Sequence, residues 1–303
     1  MPAHPLLWTL VGVHGLAAAY VHLRGKARFG LARQLTDHST LLAPLNALLY
    51  LSSKVPAKAY LDPADFPHLA PLAEHWETIR DECLAVAETG NVKAADGYTD
   101  AGFNSFFRTG WKRFYLSWYG TVPASARERC PKTMALLDAI PDVKAAMFAL
   151  LPPGAHLVRH RDPYAGSLRY HLGLATPNAD GCYIEVDGER RSWRDGEPLM
   201  FDETFIHHAR NETDRPRLIL FCDVKRPLNN PLAKLVDWVF RQAAMRAAAT
   251  ENVPGEKVGW VNRLFGLVYR VRLVGKAAKA RSKPAYYAVK FGAVAALAYW
   301  LLA

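Results

Sequence analysis

One stretch of the sequence, from Pro152 to Pro227, constrains the fold and the chemistry of this chain more than any other. His160 and Asp162 lie two residues apart in a β-like run, so both side chains point to the same face of a strand and can bind one ion together. His207 is the candidate third ligand. Two imidazoles and one carboxylate on one side of a metal ion leave coordination positions open on the other side. The pattern therefore predicts a transition-metal site that is built on strands.

Arg217 follows His207 by ten residues, in the alternating run RLILFCDV. A strand in this run can place the guanidinium inside a barrel, where it can hold a carboxylate through two hydrogen bonds. An isolated H-x-D occurs often by chance as a surface or core pair. Here His160, Asp162, His207 and Arg217 occur in one consistent order and spacing, which favours the metal site over a chance pair. Two histidines with one carboxylate are typical of non-heme Fe(II) oxygenases.

The amino-acid sequence of this stretch resembles the sequences of a known family. The segments PPGAHLVRHRD, LRYHLGL, FDETFIHHARN and RLILFCDVKRP are similar to the aspartyl/asparaginyl β-hydroxylase domain family, within the Fe(II)/2-oxoglutarate dioxygenases. The resemblance implies a mainly β fold with flanking helices, in which a double-stranded β-helix of the jelly-roll kind forms the catalytic core. Further upstream, RQLTDHST and PLNALLYL resemble the bacterial lipid A hydroxylases.

The resemblance also implies the cofactors and their binding residues. The three candidate ligands would bind Fe(2+), and 2-oxoglutarate and O2 would be co-substrates of a hydroxylase. Arg217 would pair with the far carboxylate of 2-oxoglutarate, while Arg169 and His171 of the RYH segment would lie near cofactor and substrate. The eukaryotic peptidyl hydroxylase of the family has a glycine where this chain has Asp162, so the full triad is available here, as in bacterial members.

Three functions remain open at this point. A lipid A hydroxylase would act at C2 of a secondary acyl chain, with lipid A or a related acylated lipid in the membrane as its partner. A peptidyl aspartyl/asparaginyl β-hydroxylase is the second possibility, and a non-catalytic, membrane-bound metal-binding scaffold is the third. The intact triad and Arg217 argue against the scaffold, and the apolar ends with the basic tail argue against a soluble peptide substrate.

Four regions are predicted along the chain. Residues 1–30 would form an N-terminal membrane anchor, and residues 31–142 a helical and aromatic-rich support region that contains a long helix over 63–92. Residues 143–230 would form the double-stranded β-helix catalytic core. Residues 231–303 would form basic amphipathic and apolar C-terminal helices, so the fold class includes membrane-associated terminal helices.

The N-terminal anchor is predicted from an uncharged apolar run over residues 6–22. Its length is near the lower limit of about 17 to 25 residues for a spanning helix. Arg24, Lys26 and Arg28 follow it and would stay on the cytoplasmic side. A buried helix of a soluble fold is the alternative, because His14 interrupts the apolar run.

The C-terminal end carries most of the net charge of +10, since residues 251–303 hold nine Lys and Arg against Glu251 and Glu256, a balance of +7. Basic charge beside apolar runs indicates an anionic membrane rather than nucleic acid, for which the sequence holds no recognition motif. A basic amphipathic helix over 260–271 would lie in a membrane interface or pack on the barrel. The apolar tail over 285–303 is just long enough to cross a bilayer.

The four cysteines have no C-x-x-C pairing, so neither a disulfide framework nor a structural zinc site is predicted, and a reducing compartment fits. Both apolar runs have their basic flanks on the same side. Together these features predict the bacterial inner membrane as the location, with the catalytic domain facing the cytoplasm.

Local patterns predict how several side chains are presented. Asp187 and Gly188 form a strong signal for a two-residue hairpin turn. Arg169 and His171 share one face of a strand, which we expect to point inward, whereas His208 should point away from the metal.

Five basic residues have weaker assignments. Arg159 and Arg161 are expected to be solvated neighbours of the H-x-D pair. Arg108, Lys112 and Arg113 are candidate contacts for a substrate phosphate.

Overall fold

Two antiparallel sheets form the centre of the computed structural model, which describes residues 5–95 and 98–289 together with residues 292 and 296. In chain order their strands are β1 (Tyr60–Leu61), β2 (Lys112–Trp118), β3 (Val143–Leu151), β4 (His156–His160), β5 (Ser167–Ala175), β6 (Cys182–Val186), β7 (Glu189–Ser192), β8 (Pro198–Phe201), β9 (His207–Asn211) and β10 (Arg217–Lys225). The larger sheet has the order β1-β8-β5-β10-β3-β2, and the smaller has the order β4-β9-β6-β7. The predicted mainly β core is confirmed.

From β3 to β10 the chain passes back and forth between the two sheets, which is the behaviour of a double-sheet jelly roll. Alternate side chains of the larger sheet therefore enter two different cores. In β10, Ile219 and Phe221 pack with Ile184 of the smaller sheet, in the core between the sheets. Leu218 and Leu220, which alternate with them along the strand, join the core on the other side of the larger sheet.

The predicted hairpin turn is confirmed. Strands β6 and β7 pair antiparallel, with Val186 opposite Glu189, and the turn between them consists of Asp187 and Gly188. Their φ angles are +53° and +88°, the left-handed values that a tight turn of the I′ kind requires at both positions. Glycine adopts such an angle without steric cost, which explains its place at the second position.

Helices surround the sheets on several sides. They are α1 (Pro5–Leu23), α2 (Leu31–Leu35), α3 (His38–Leu41), α4 (Ala43–Leu51), α5 (Ala70–Glu74), α6 (Trp76–Glu88), α7 (Ala124–Arg129), α8 (Pro131–Asp138), α9 (Pro231–Phe240) and α10 (Trp260–Arg281). Helices α6 and α8 cover the outer face of the larger sheet, through side chains such as Ile79 and Met134.

The single long helix predicted over 63–92 is wrong. Two 3-10 turns, Pro63–Asp65 and Pro67–Leu69, precede α5 and α6. The interruption has a physical cause, because Pro67 and Pro71 lack the backbone N–H that a continuous helix needs and restrict the residues before them.

The N-terminal run forms a helix, as predicted, but its membrane-spanning character requires correction. Within the described residues, no helix combines the length and the apolar character that crossing a bilayer requires. His14 and His22 interrupt the apolar run of α1. One side of the helix instead packs on the protein, where Ala17 and Val21 contact Ala43 of α4.

The predicted C-terminal basic helix is present as α10, which contains no acidic residue. The apolar tail predicted over 285–303 falls mostly outside the described residues. The terminal regions therefore contribute α1 and α10 as helices, and neither is a spanning helix in the part of the chain that the structure describes.

Candidate metal centre

The three predicted metal ligands come together between the two sheets. His160 ends β4, His207 begins β9, and these two residues lie opposite each other in the antiparallel pair. Asp162 follows β4 by two residues. One ligand atom from each of the three side chains lies within 4.8 Å of the other two, as a shared ion requires.

Both imidazoles are oriented by hydrogen bonds to the backbone. The Nδ1 atom of His160 donates to the carbonyl of Val158 at 2.7 Å, and Nδ1 of His207 donates to the carbonyl of Phe205 at 2.9 Å. A carbonyl oxygen can only accept, so each Nδ1 carries the proton. Each Nε2 is left with its lone pair, which is the form that binds a metal.

The electrostatics of the site favour the same protonation states. Burial lowers the pKa of His207 to about 3, and it lowers the pKa of His160 as well. Burial alone would raise the pKa of Asp162, but the positive charge of Arg169 and the nearby imidazoles outweigh it and lower that pKa. Two neutral imidazoles and one carboxylate are the charge states that a divalent metal needs.

Arg217 lacks an anionic partner. It is the first residue of β10 and is 2% exposed. Its buried Nε has no hydrogen-bond partner, and its guanidinium forms no ion pair with the residues that the structure describes. Its guanidinium lies 4.3 Å from the centre of the Trp193 ring. Burial lowers its pKa to about 10, so the group stays charged at neutral pH. A buried, unpaired arginine is costly, and a ligand carboxylate would satisfy it.

Arg169 differs from Arg217, because carboxylates already surround it. It donates to Asp162 at 2.6 Å, lies 3.2 Å from a carboxylate oxygen of Asp223, and also pairs with Glu203. These partners raise its pKa against the effect of burial, and burial raises the pKa of Glu203 well above its usual value. Arg169 therefore positions the carboxylate of the candidate ligand Asp162, and its predicted contact with a cofactor remains a prediction.

His171 faces inward, as expected. Its Nδ1 accepts a hydrogen bond from the indole N–H of Trp193 at 3.3 Å, so the proton of the neutral ring lies on Nε2. That Nε2 is buried and has no hydrogen-bond partner among the described residues. Burial and the nearby positive groups hold the pKa of His171 well below its usual value. The site thus contains an unused donor beside an unpaired cation.

These groups line one cavity between the sheets. Its polar lining is made of the six residues discussed above, and its remaining lining is apolar and mostly aromatic. The apolar residues are Phe103, Phe106, Trp111, Leu157, Ile184, Trp193, Phe201, Ala209 and Phe221. The Phe106 ring lies edge-on to His160, with 4.8 Å between their centres. A few polar groups in an apolar cavity are typical of a small-molecule site.

Sequence comparison agrees with this geometry. The profile of the Aspartyl/Asparaginyl beta-hydroxylase family matches residues 73–227, about half of the chain. The chain belongs to the aspartyl/asparaginyl β-hydroxylase family. The matched residues include all three candidate ligands and Arg217.

Two relatives of this hydroxylase-family chain differ in their names. An ornithine lipid ester-linked acyl 2-hydroxylase from Rhizobium tropici is 36% identical over 187 residues, which is 61% of this chain and 66% of that protein. Human aspartyl/asparaginyl beta-hydroxylase is 32% identical over 165 residues, which is 53% of this chain and 21% of that protein. The match thus spans just under two thirds of one relative and about a fifth of the other.

Among solved structures, a prolyl-4-hydroxylase from Pseudomonas putida is similar with a TM-score of 0.34 and 21% identity. The similarity covers 51% of this hydroxylase-family chain and 88% of that one.

The N-terminal helices of this family member hold the loop that carries Asp162. The ring Nε2 of His38 donates to the carbonyl of Arg161 at 2.8 Å, and the Asn46 amide donates to the carbonyl of Pro163 at 2.8 Å. Sequence reasoning missed these roles. The only signal was the resemblance in RQLTDHST and PLNALLYL, the two segments that contain His38 and Asn46.

Arg24 holds the other ligand loop. Its guanidinium donates to Asp202 at 2.6 Å and to the hydroxyl of Thr204 at 2.7 Å, and Asp202 also pairs with Arg226 at 2.9 Å. This turn leads directly to His207. The sequence predicted Arg24 only as a basic residue on the cytoplasmic side of a membrane anchor, whereas its side chain is buried in an ion pair here.

Arg161 was expected to be solvated like Arg159, and this too is wrong. Arg159 is exposed, but Arg161 is 2% exposed and donates from Nη1 to the carbonyl of Val21 at 2.8 Å. The alternation of a strand ends at His160, so residue 161 no longer follows its neighbour's pattern of exposure.

The structure gives a different result for each of the three candidate phosphate contacts. Arg113 is buried and pairs with Asp100 at 3.0 Å, so it is a structural residue and the prediction is wrong for it. Arg108 donates to the hydroxyl of Tyr269 at 2.9 Å. Lys112 is exposed, and its role remains a prediction.

Proposed function

We propose that this chain is an Fe(II)- and 2-oxoglutarate-dependent hydroxylase that places a hydroxyl group at C2 of a lipid acyl chain. One observation carries the cofactor assignment: the His160, Asp162 and His207 cluster shares a cavity with the buried, unpaired guanidinium of Arg217. A metal alone would not require the cation. A co-substrate with a carboxylate beyond the metal explains both.

The residues fit these groups through the atoms that remain free. Nε2 of both ligand histidines and an oxygen of Asp162 would bind Fe(II), while Arg217 would take the far carboxylate of 2-oxoglutarate. The N–H of His171 Nε2 would donate to the same co-substrate. When bound, these groups supply the oxidising power by which O2 hydroxylates an unactivated C–H bond. The aromatic walls of the cavity exclude water and orient the substrate chain.

A lipid substrate is supported by the Rhizobium relative, whose name describes 2-hydroxylation of an ester-linked acyl chain in an ornithine lipid. The apolar lining of the cavity suits a hydrocarbon chain. We infer lipid A as the acceptor from the N-terminal wording, and the cytoplasmic face of a bacterial inner membrane as the place of action.

The human relative supports a second candidate, hydroxylation of aspartyl or asparaginyl residues in a peptide. The two candidates differ in substrate but use the same metal centre. Asp162 favours the lipid candidate. The resemblance implies a triad with a carboxylate ligand for bacterial members, whereas the eukaryotic peptidyl hydroxylase has a glycine at this position.

The experiment that separates them uses purified full-length protein with Fe(II), 2-oxoglutarate and O2. Lipid A, an ornithine lipid and an aspartate-containing peptide are supplied in parallel, and each is examined by mass spectrometry for the gain of one oxygen atom. We expect a gain in lipid A that fragmentation places at C2 of a secondary acyl chain. A gain in the peptide alone would refute the lipid assignment, and no gain in any substrate would refute hydroxylation of all three classes.

Two variants serve as controls in that experiment. His160→Ala removes a metal ligand and should abolish the gain of oxygen, whereas His156→Ala changes an exposed histidine on the same strand and should leave it unchanged. Treatment with a chelator should abolish the activity, and added Fe(II) should restore it.

A further inference from the structure

Helix α10 exposes an apolar strip along the side opposite its buried residues. Its buried residues, Asn262 and Tyr269, lie seven positions apart and therefore on one face of the helix. At about 100° per residue, the apolar strip lies on the opposite face. The strip consists of Trp260, Leu264, Leu267, Val268, Val271 and Val274, each at least half exposed.

Basic side chains flank this strip on both sides. The helix has six basic residues and no acidic residue. By the same helical geometry, Arg263, Arg270 and Arg281 lie along one edge of the strip, and Arg272 and Lys279 lie along the other. The sixth, Lys276, lies closer to the face that holds Tyr269. An apolar strip between two basic edges fits the boundary between the headgroups and acyl chains of an anionic bilayer.

The buried face of α10 holds the segment that leads to the metal site, residues 98–109, which we term the aromatic loop. The side-chain oxygen Oδ1 of Asn262 accepts a hydrogen bond from the backbone N–H of Ala101 at 2.8 Å. The Tyr269 hydroxyl accepts from Arg108 at 2.9 Å, and the Tyr269 ring stacks on Tyr98 with 3.9 Å between centres. Contacts thus occur near both ends of the loop.

The aromatic loop in turn covers the metal cavity. Phe103 and Phe106 line the cavity, and Phe106 lies against the ligand His160. Phe103 also stacks on Trp111, with 4.9 Å between ring centres. Any shift of α10 relative to the sheets would therefore be transmitted to the cavity wall through two hydrogen bonds and one ring stack.

We propose that α10 docks the protein on the surface of an anionic lipid bilayer, and that docking fixes the aromatic loop over the metal cavity. The docking surface is carried by the exposed apolar strip and its basic edges. Asn262 and Tyr269 are positioning residues, which connect that surface to the loop. The docking stands on α10 alone, whereas the consequence for a lipid substrate rests on the proposed function.

Docking is tested by sedimentation of the full-length protein with vesicles of phosphatidylcholine containing about one third phosphatidylglycerol. The variant R263E/R270E reverses two charges on one edge of the strip, and R129E/K132E reverses two exposed charges on the surface formed by α7 and α8. We expect R263E/R270E to lower the affinity for vesicles by roughly tenfold or more. The factor by which R129E/K132E lowers this affinity should be less than half as large. An equal loss in both variants would reduce the effect to net charge and overturn the docking surface.

The apolar strip is tested in the same assay by L267E/V271E, which should also weaken binding. Binding of the wild type that is equal on pure phosphatidylcholine and on mixed vesicles would contradict the anionic bilayer as the partner. Self-association of the wild type that L267E/V271E abolishes, without vesicle binding, would assign the strip to a second copy of the chain and refute the proposal.

The connection to the cavity is tested by hydrogen exchange of the aromatic loop, which needs no turnover. We expect vesicles to slow exchange of residues 98–109 severalfold in the wild type and to have no effect in R263E/R270E. Asn262→Ala should bind vesicles as the wild type does but lose the protection at Ala101. Vesicle binding with unchanged exchange in the wild type would refute the connection. Failure of lipid hydroxylation would leave both measurements standing, so the two proposals fail separately.

Discussion

Arg217 is the residue on which the co-substrate assignment depends most directly. Arg217→Lys retains a charge but loses the two parallel N–H donors, and a charged hydrogen bond contributes about 1.5 to 3 kcal/mol. We expect the concentration of 2-oxoglutarate at half-maximal rate to rise by roughly tenfold to a hundredfold. The matched control is Arg215→Lys, an exposed position on the same segment. An unchanged 2-oxoglutarate dependence alongside an altered Fe(II) requirement would contradict the role given to Arg217.

Metal binding should depend on pH in a way that reflects burial. Burial depresses the pKa of His207 to about 3 and also lowers that of His160, so protons compete with a metal only in acid. We expect Mn(II) affinity to stay nearly constant between about pH 7.5 and pH 5.5, a range in which an exposed histidine site would weaken. Isothermal titration at several pH values measures this. A steep loss of affinity near pH 6.5 would show ordinary histidine pKa values and contradict the expectation.

The same depressed pKa has a consequence for stability without metal. The unfolded chain binds a proton on His207 near pH 6.5, but the folded chain does so only near pH 3. The contribution of the neutral His207 imidazole to the free energy of unfolding is therefore present above pH 6.5 and is lost progressively as the pH falls toward 3.

Among individual residues, the sequence predicted the three candidate ligands that the structure brings together, but not the residues around them. His160 and Asp162 were found from a spacing of two, because a strand repeats every two residues. The carboxylates around Arg169 could not be found in this way. Glu203 and Asp223 lie on a loop and on β10, and only the pairing of strands places them beside β5.

Among the elements, the end of α1 should matter as much as the ligand strands. Arg24→Ala would leave Asp202 with one of its two cationic partners and would loosen the turn before His207. Removing one partner of a buried ion pair costs about 3 to 5 kcal/mol, and the remaining Arg226 pair reduces that cost here. We expect a lower free energy of unfolding and weaker Mn(II) binding.

The control for this change is Arg28→Ala, since Arg28 is exposed and lies four residues further on. Chemical denaturation and metal titration are measured on both variants. Equal behaviour of the two variants would show that the Arg24 pair does not support the ligand turn.

Elements with strong local signals were predicted best. The turn at Asp187 and Gly188 forms as expected. Strand β2 lies in the predicted aromatic-rich support region, and its pairing with β3 at the edge of the larger sheet was not predicted. A fully buried strand has no polar alternation, so its place in a sheet depends on contacts distant in sequence.

For the whole molecule, removal of residues 1–22 tests whether α1 is an anchor or part of the fold. Val21 supplies the carbonyl that accepts from buried Arg161, and Ala17 and Val21 pack on α4. An unsatisfied buried donor costs about 1 to 3 kcal/mol, so we expect the melting temperature to fall by several degrees. The control is removal of residues 1–12, which keeps these contacts. Unchanged stability in the longer deletion would return α1 to the role of a detachable anchor.

The tertiary contacts made by the two ends of the chain are what the sequence predicted least well. Charge and hydropathy described the ends of the chain as membrane-facing segments, because both measures are averages over a run of residues. They do not show that Arg24 reaches across the molecule to Asp202, or that Asn262 reaches the aromatic loop. Such contacts depend on tertiary packing, which a local pattern does not contain.

The pair of Arg24 and Asp202 has a consequence for the timing of synthesis. The two residues are separated by 178 positions, so Arg24 leaves the ribosome long before its carboxylate exists. At about 5 to 20 residues per second, the interval is roughly 10 to 35 s. Throughout this interval Arg24 has no Asp202 to pair with. The turn before His207 can therefore be held by Arg24 only after the chain has been synthesised past residue 202.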